Sequence, residues 1–164
     1  MAERMEYEIR DAFQNFLGEQ AHVNRVKQHK FSSQDIDIKI ESGKYRNVGI
    51  ECKSIDARNT DKLYFSQHFS ESDGKHQVEN ISEYLDRSGA IGLLAVELRR
   101  GAGRKKKCFL IDWKEIKYMF FEQQVKYIPL PSENNILETI EKLPRKSSNY
   151  VVNEEIWNWV QNLL

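Results

Sequence analysis

The chain has 164 residues, of which 40% are hydrophobic, and its 25 Lys and Arg residues are balanced by 25 Asp and Glu. That size suits one domain whose core needs no disulfide, and the composition excludes wholesale disorder. A zero net charge excludes a general field for polyanions, so any nucleic-acid contact must rest on local patches. No signal peptide is evident and no apolar run approaches the roughly 20 residues that cross a bilayer, so a cytoplasmic location is expected.

Residues 3–17 are predicted to form an amphipathic helix, with Met5, Ile9, Ala12, Phe13 and Phe16 at helical spacing and Gly18 as its stop. Glu6 lies nearest the apolar stripe, whereas Glu3 and Glu8 lie further toward solvent. A strand is expected near 22–29. Ile36, Ile38 and Ile40 then alternate as a strand, and a turn at Ser42-Gly43-Lys44 leads back into a strand over 46–54, making a hairpin. On that returning strand Val48, Ile50 and Cys52 face the core. Glu51 and Lys53 share the other face, roughly 7 Å apart along the backbone.

Residues 55–72 read as a long surface connection, broken only by Leu63-Tyr64-Phe65. A second helix is expected from a Ser72 or Asp73 cap to about Arg87, with Val78, Ile81 and Leu85 inward. Gln77 falls on the inward-leaning side of its first turn, and His76 is expected to point outward. Ala90 to Val96 reads as a buried central strand and Cys108 to Ile111 as its antiparallel neighbour. Between them Arg99, Arg100, Arg104, Lys105, Lys106 and Lys107 make a cationic turn without an anion.

A helix near 113–122, a short strand near 125–129 and helical segments near 134–143 and 153–163 follow, the last striped by Ile156, Trp157 and Val160. The expected organisation is a single domain over 1–164, with its core at about 3–130 and a C-terminal helical extension over 131–164. Cys52 and Cys108 lie in apolar runs with no Cys or His at ligand spacing, so buried free thiols are expected and a zinc site is not.

Carboxylates beside a lysine on one strand face suit metal-assisted phosphodiester hydrolysis. Hard oxygen donors from Asp37 and Glu51, joined by the Cys52 backbone carbonyl, fit Mg²⁺ or Mn²⁺, which keep several waters. Lys53 would stabilise the charge that develops on the phosphate. Arg25, Lys27 and Lys30 could track DNA arms together with the cationic turn, Ser33 could touch a phosphate, and His76 could serve as a phosphate contact.

The order helix, three strands, helix, strand, with Asp and then Glu51-Cys52-Lys53 on the second and third strands, resembles the PD-(D/E)xK nuclease superfamily. Within it the chain resembles Holliday junction resolvases. Ile50-Glu51-Cys52-Lys53-Ser54 is similar to the catalytic strand of the archaeal Hjc-like enzymes. Leu63-Tyr64-Phe65 through His76-Gln77 to Gly89-Ala90-Ile91, with Phe109-Leu110-Ile111 through Ile128-Pro129-Leu130, is similar to the bacterial RecU type. The likeness spans about residues 3–130.

This resemblance implies a restriction-endonuclease-like α/β fold, an αβββαβ core with a mixed central sheet flanked by helices, followed by C-terminal helices. It also implies a Mg²⁺- or Mn²⁺-dependent endonuclease that acts on four-way DNA junctions as a homodimer. Glu6 would be the helix-borne acid that binds or positions metal, and Gln77 the helix glutamine that supports the site. Gln34 or Ile36 stands where a proline often precedes the catalytic aspartate, which leaves Asp35 and Asp37 as alternatives. Asp37, flanked by Ile36 and Ile38 and at hairpin distance from Glu51, is preferred.

Overall fold

In a computed structural model, which describes residues 2–26, 36–132 and 139–164, a six-stranded mixed sheet runs through the molecule with helices on both faces. The positions Lys27, Lys30, Ser33 and Asp35, together with the start of the helix expected near 134–143, lie outside the described residues.

The chain opens with helix α1 (Ala2–Leu17), followed by strands β1 (His22–Arg25), β2 (Ile38–Glu41) and β3 (Val48–Asp56). These three form an antiparallel meander, with Val23 opposite Ile40 and Ile38 opposite Ile50. Met5, Ile9, Phe13 and Leu17 of α1 bury their stripe on the face that carries Val48, Ile50 and Cys52. The strand face that holds Glu51 and Lys53 is the opposite one.

Beyond β3 the structure departs from the featureless connection expected there. Short strand β4 (Lys62–Tyr64), helical turn α2 (Phe65–His68) and a small hairpin of β5 (Glu71–Ser72) and β6 (Lys75–His76) occupy it. Phe65 and Phe69 are buried against Val78 and Trp113, and with Leu63 they anchor this otherwise largely exposed segment to the core. The hairpin turns on Asp73 and Gly74, both at positive φ (54° and 74°). Asp-Gly is a preferred pair for such a turn. Helix α3 (Gln77–Ser88) therefore begins later than a Ser72 or Asp73 cap would place it. Its cap is His76, whose ring accepts from the Val78 N–H, while Glu79 reaches back to the His76 N–H.

Strand β7 (Ile91–Arg99) lies parallel to β3, with Glu51 beside Leu94, and pairs antiparallel with β8 (Lys107–Asp112). Gly92 is required where these strands meet the helices, because a Cβ there would strike Leu85 and come within 2.7 Å of the Trp113 Cβ. Helix α4 (Trp113–Lys117) runs into a π-helical turn at Tyr118–Glu122, and β9 (Tyr127–Pro129) then pairs with β4.

The last segment corrects a second expectation. Ile140–Lys142 is strand β10, the sixth of the sheet, paired antiparallel with β8, and not part of a helix. Strands β11 (Arg145–Lys146) and β12 (Asn149–Tyr150) form a hairpin, and helix α5 (Glu154–Gln161) closes the chain. Tyr150, Val152, Ile156, Trp157 and Val160 share one buried cluster with α1. No helix among the described residues is long and apolar enough to cross a membrane.

Candidate active site

The alternation of isoleucines before the hairpin breaks at Asp37, and that break builds the site. Ile36 packs in the cluster around α3, whereas Ile38 and Ile40 pack in the cluster around α1. They do not share a face, because the chain bends at Asp37 before β2 begins. The bend aims Asp37 Oδ2 at β3, where it accepts from the Cys52 N–H at 2.8 Å. In a strand the N–H and C=O of one residue leave by the same edge, so the Cys52 carbonyl faces the Asp37 side too.

Around that edge the structure gathers Glu6, Asp37, Glu51, Lys53 and Gln77 from α1, the bend, β3 and α3. The three carboxylates are 7%, 6% and 1% exposed, which is rare for acids without a reason. Glu51 Oε2 receives Gln77 Nε2 and lies 3.4 Å from Lys53 Nζ. Lys53 Nζ donates to Gln77 Oε1 at 3.2 Å and stands 4.7 Å over the Phe69 ring. Gln77 itself is fixed by the Ser70 N–H on its Oε1 and by its own N–H on the Ser70 carbonyl. The β5–β6 hairpin thus brings Ser70 back against the start of α3 and locks the amide between lysine and carboxylate.

Charge in this pocket is out of balance. Burial, followed by the nearby Asp37 carboxylate, holds Glu51 well above the ordinary carboxylate range. Glu6 is raised for the same two reasons, and Arg25, which donates to its Oε2, offsets part of this. Glu51 Oε1 is buried and, among the described residues, receives no hydrogen bond. An acceptor in that state, facing a second carboxylate, fits a cation.

Among the described residues no group of three or more His, Cys, Asp or Glu side chains is arranged to hold a metal ion. The oxygens at this edge that could hold an ion are fewer: those of Asp37 and Glu51 and the Cys52 carbonyl. All are hard oxygens, which suits an ion that retains water for its other positions.

Several residues expected to contact DNA are instead engaged within the protein. Arg25 is turned onto Glu6 and lies 3.4 Å from Glu3. His76 does not point outward, since its Nδ1 accepts from Val78 and its Nε2 lies 2.9 Å from the Phe65 carbonyl; both ring nitrogens serve the fold. Lys106 bridges Glu8 at 3.2 Å and Glu97 at 3.4 Å. Arg99 donates to Ser54 Oγ at 3.0 Å, and Lys107 lies within β8. Arg100, Arg104 and Lys105 remain exposed on the β7–β8 turn.

Sequence reasoning missed Glu97. It is 2% exposed and accepts from Ser54 Oγ at 2.8 Å and Tyr150 OH at 2.7 Å, besides its contact with Lys106. The available signal was one acid inside the apolar run Ala90 to Leu98. His68 was missed as well. Its Nδ1 accepts from the Tyr64 N–H, and burial lowers its pKa.

No protein-family model matches the chain, and no curated protein matches it. Among solved structures it is similar to Hjc of Archaeoglobus fulgidus, a Holliday junction resolvase from an archaeal hyperthermophile. The identity is 16%, the match covers 93% of this chain and 90% of that chain, and the TM-score is 0.41.

Proposed function

We propose that this protein is a Mg²⁺- or Mn²⁺-dependent endodeoxyribonuclease that cuts four-way DNA junctions, acting as a homodimer. The observation that carries the reading is the buried Glu51 carboxylate. One of its oxygens is held by Gln77 and Lys53 and the other receives no donor among the described residues, while Asp37 and Glu6 crowd the same space. A purely structural ion pair has no use for the surplus acids.

Asp37, Glu51 and the Cys52 carbonyl would hold the ion. Bound there, it would supply Lewis acidity toward the phosphate and lower the pKa of a coordinated water. Lys53 contributes an ammonium beside these carboxylates, positioned to meet charge on the non-bridging phosphate oxygens. Gln77 keeps that ammonium and the Glu51 carboxylate in register, and the Phe69 ring limits water beneath it. Glu6, tied to Arg25, adds negative charge next to Asp37 and thereby strengthens cation binding. Arg100, Arg104 and Lys105, exposed on the β7–β8 turn, would follow a DNA arm through phosphate contacts. Two copies related by a two-fold axis would cut opposing strands symmetrically.

Purified protein is incubated with an end-labelled four-way junction or a matched linear duplex, in Mg²⁺ or in EDTA, beside a Lys53→Ala variant. Paired symmetric nicks on the junction, dependent on the ion and absent from the variant, are expected. Equal cutting of the duplex would turn the reading into a general DNA nuclease. Tight binding with no cutting would reduce the protein to a DNA-binding module.

A further inference from the structure

A row of aromatic rings leads away from the candidate site, and the functional reading does not use it. Tyr64 stands opposite Tyr127 across the β4–β9 pair, with their ring centroids 5.7 Å apart and edge to face. The other neighbour of Tyr64 is His68, stacked at 6.3 Å and 25°. Phe69, over whose ring Lys53 Nζ stands at 4.7 Å, follows His68 in the chain and stacks on Phe65 at 5.7 Å, so the row begins beside the site. A second arm runs from Phe65, beside Tyr64 in the chain, through Phe120 to Phe121, at 5.1 and 4.9 Å.

Much of this surface meets water. Tyr127 is 37% exposed and Phe121 39%. Single exposed rings are ordinary, but Tyr127 touches half-buried Tyr64, which in turn stacks on half-buried His68, so three adjoining rings reach the surface together. Lys62 holds its ammonium 4.7 Å over the Tyr127 ring, and exposed Lys126 precedes that ring in the chain. The platform is also pre-ordered. Tyr64 is fixed through its N–H on His68 Nδ1, and the Phe65 N–H donates to the Lys126 carbonyl at 3.1 Å, tying the two strands' ends together.

We infer that the Tyr64–His68–Tyr127 row, with Lys62 at its margin, is a stacking platform for unpaired nucleotides of a DNA strand whose neighbouring phosphate enters the candidate site. The inference rests on the nuclease reading and adds to it. Aromatic faces bordered by ammonium groups match the two chemistries of a single strand, since every base offers a π-face and every linkage a negative charge. A four-way junction offers bases at its branch point that can leave the stack. Perfect duplex keeps its bases paired and presents only backbone.

Binding is measured by fluorescence anisotropy in EDTA, with labelled oligothymidylate, a linear duplex and a four-way junction carrying a fluorescent purine analogue at its branch point. A Tyr64→Ala/Tyr127→Ala variant should lose about tenfold or more in affinity for oligothymidylate while changing little on duplex. The analogue's emission should be quenched by wild-type protein and not by this variant. Tyr127→Phe, which keeps the ring, should bind as wild type does. Exposed Tyr127→Ser alone serves as a second probe in case the double variant folds poorly, and should show a smaller selective loss.

Equal losses on single strand and duplex, or no loss on either, would overturn the platform. So would a drop in sedimentation coefficient without selective loss, which would make the patch a contact between two copies of the chain. If wild-type protein binds none of the three DNAs, the nuclease reading itself fails, and the platform with it.

Discussion

Two buried carboxylates lie on neighbouring strands of the sheet, Glu51 of β3 on the α3 face and Glu97 of β7 on the α1 face, and they live opposite lives. Glu97 is saturated: Ser54 Oγ and Tyr150 OH donate to it and Lys106 supplies the countercharge. Glu51 shares one oxygen between Gln77 and Lys53, leaves the other without a donor among the described residues, and faces Asp37. Both are 1–2% exposed, so depth does not separate them. Saturation does. A satisfied buried acid is a clasp, holding the β7–β8 turn, α1 and the β11–β12 hairpin to one point, whereas an unsatisfied one among other acids is a socket for a cation.

The strongest way to break this contrast is to swap in neutral side chains and read two properties at once. Glu51→Gln should reduce junction cleavage by about a thousandfold, the scale lost when a preorganised charge in an active site is removed. Glu97→Ala should leave the cleavage chemistry of the folded fraction largely intact but lower stability by about 3 kcal/mol, because Tyr150 OH and Lys106 lose their shared partner. Urea titration followed by tryptophan fluorescence measures the second effect. A fold as stable as wild type after Glu97→Ala would show that the clasp does nothing.

The socket makes a subtler prediction, opposite in sign. Glu51 is raised from its ordinary value of 4.5, so the folded chain binds this proton more tightly than the unfolded one. The stability linked to it is full below about that value and is lost as pH rises through the raised one. In EDTA, Glu51→Gln should therefore melt above wild type at neutral pH, by roughly 2–4 °C, the shift that about 1 kcal/mol produces in a chain of this size. The advantage should vanish in acid. Mg²⁺ or Mn²⁺ should raise the melting point of wild type and not that of the variant, since only a bound ion rewards the native carboxylate. A variant that melts below wild type at every pH would place Glu51 with the clasps.

Much of the socket was readable in the sequence because its residues obey short-range rules. Glu51 and Lys53 alternate against Ile50 and Cys52, and Glu6 leans toward a helical stripe. The αβββαβ order likewise follows from periodicity and turn residues. What could not be read depends on partners distant in the chain. Ile140–Lys142 is a strand because β8 offers it a free edge, a fact absent from its own local preferences. Ile36 departs from the face of Ile38 through one bend. His76 reads as an outward-pointing phosphate contact until Phe65 and Val78 occupy both of its nitrogens. Asp73-Gly74 could have announced the turn that delays α3, and Glu97 could have announced the clasp.

The smallest expected effect separates three consecutive cations of the β7–β8 turn. Arg104 and Lys105 are exposed, whereas Lys106 is bent onto Glu97 and Glu8. If the turn follows a DNA arm, each phosphate contact removed lowers the slope of log affinity against log salt by about 1. Arg104→Gln with Lys105→Gln should thus flatten the slope by about 2 in anisotropy titrations across a range of NaCl. Lys106→Gln should leave the slope nearly unchanged and register instead as a modest loss of thermal stability, because its charge is already spent on carboxylates within the protein. A slope that falls equally for Lys106→Gln would mean that DNA competes successfully for this ammonium. The clasp at Glu97 would then open on binding, and the line between the two carboxylates would depend on whether DNA is present.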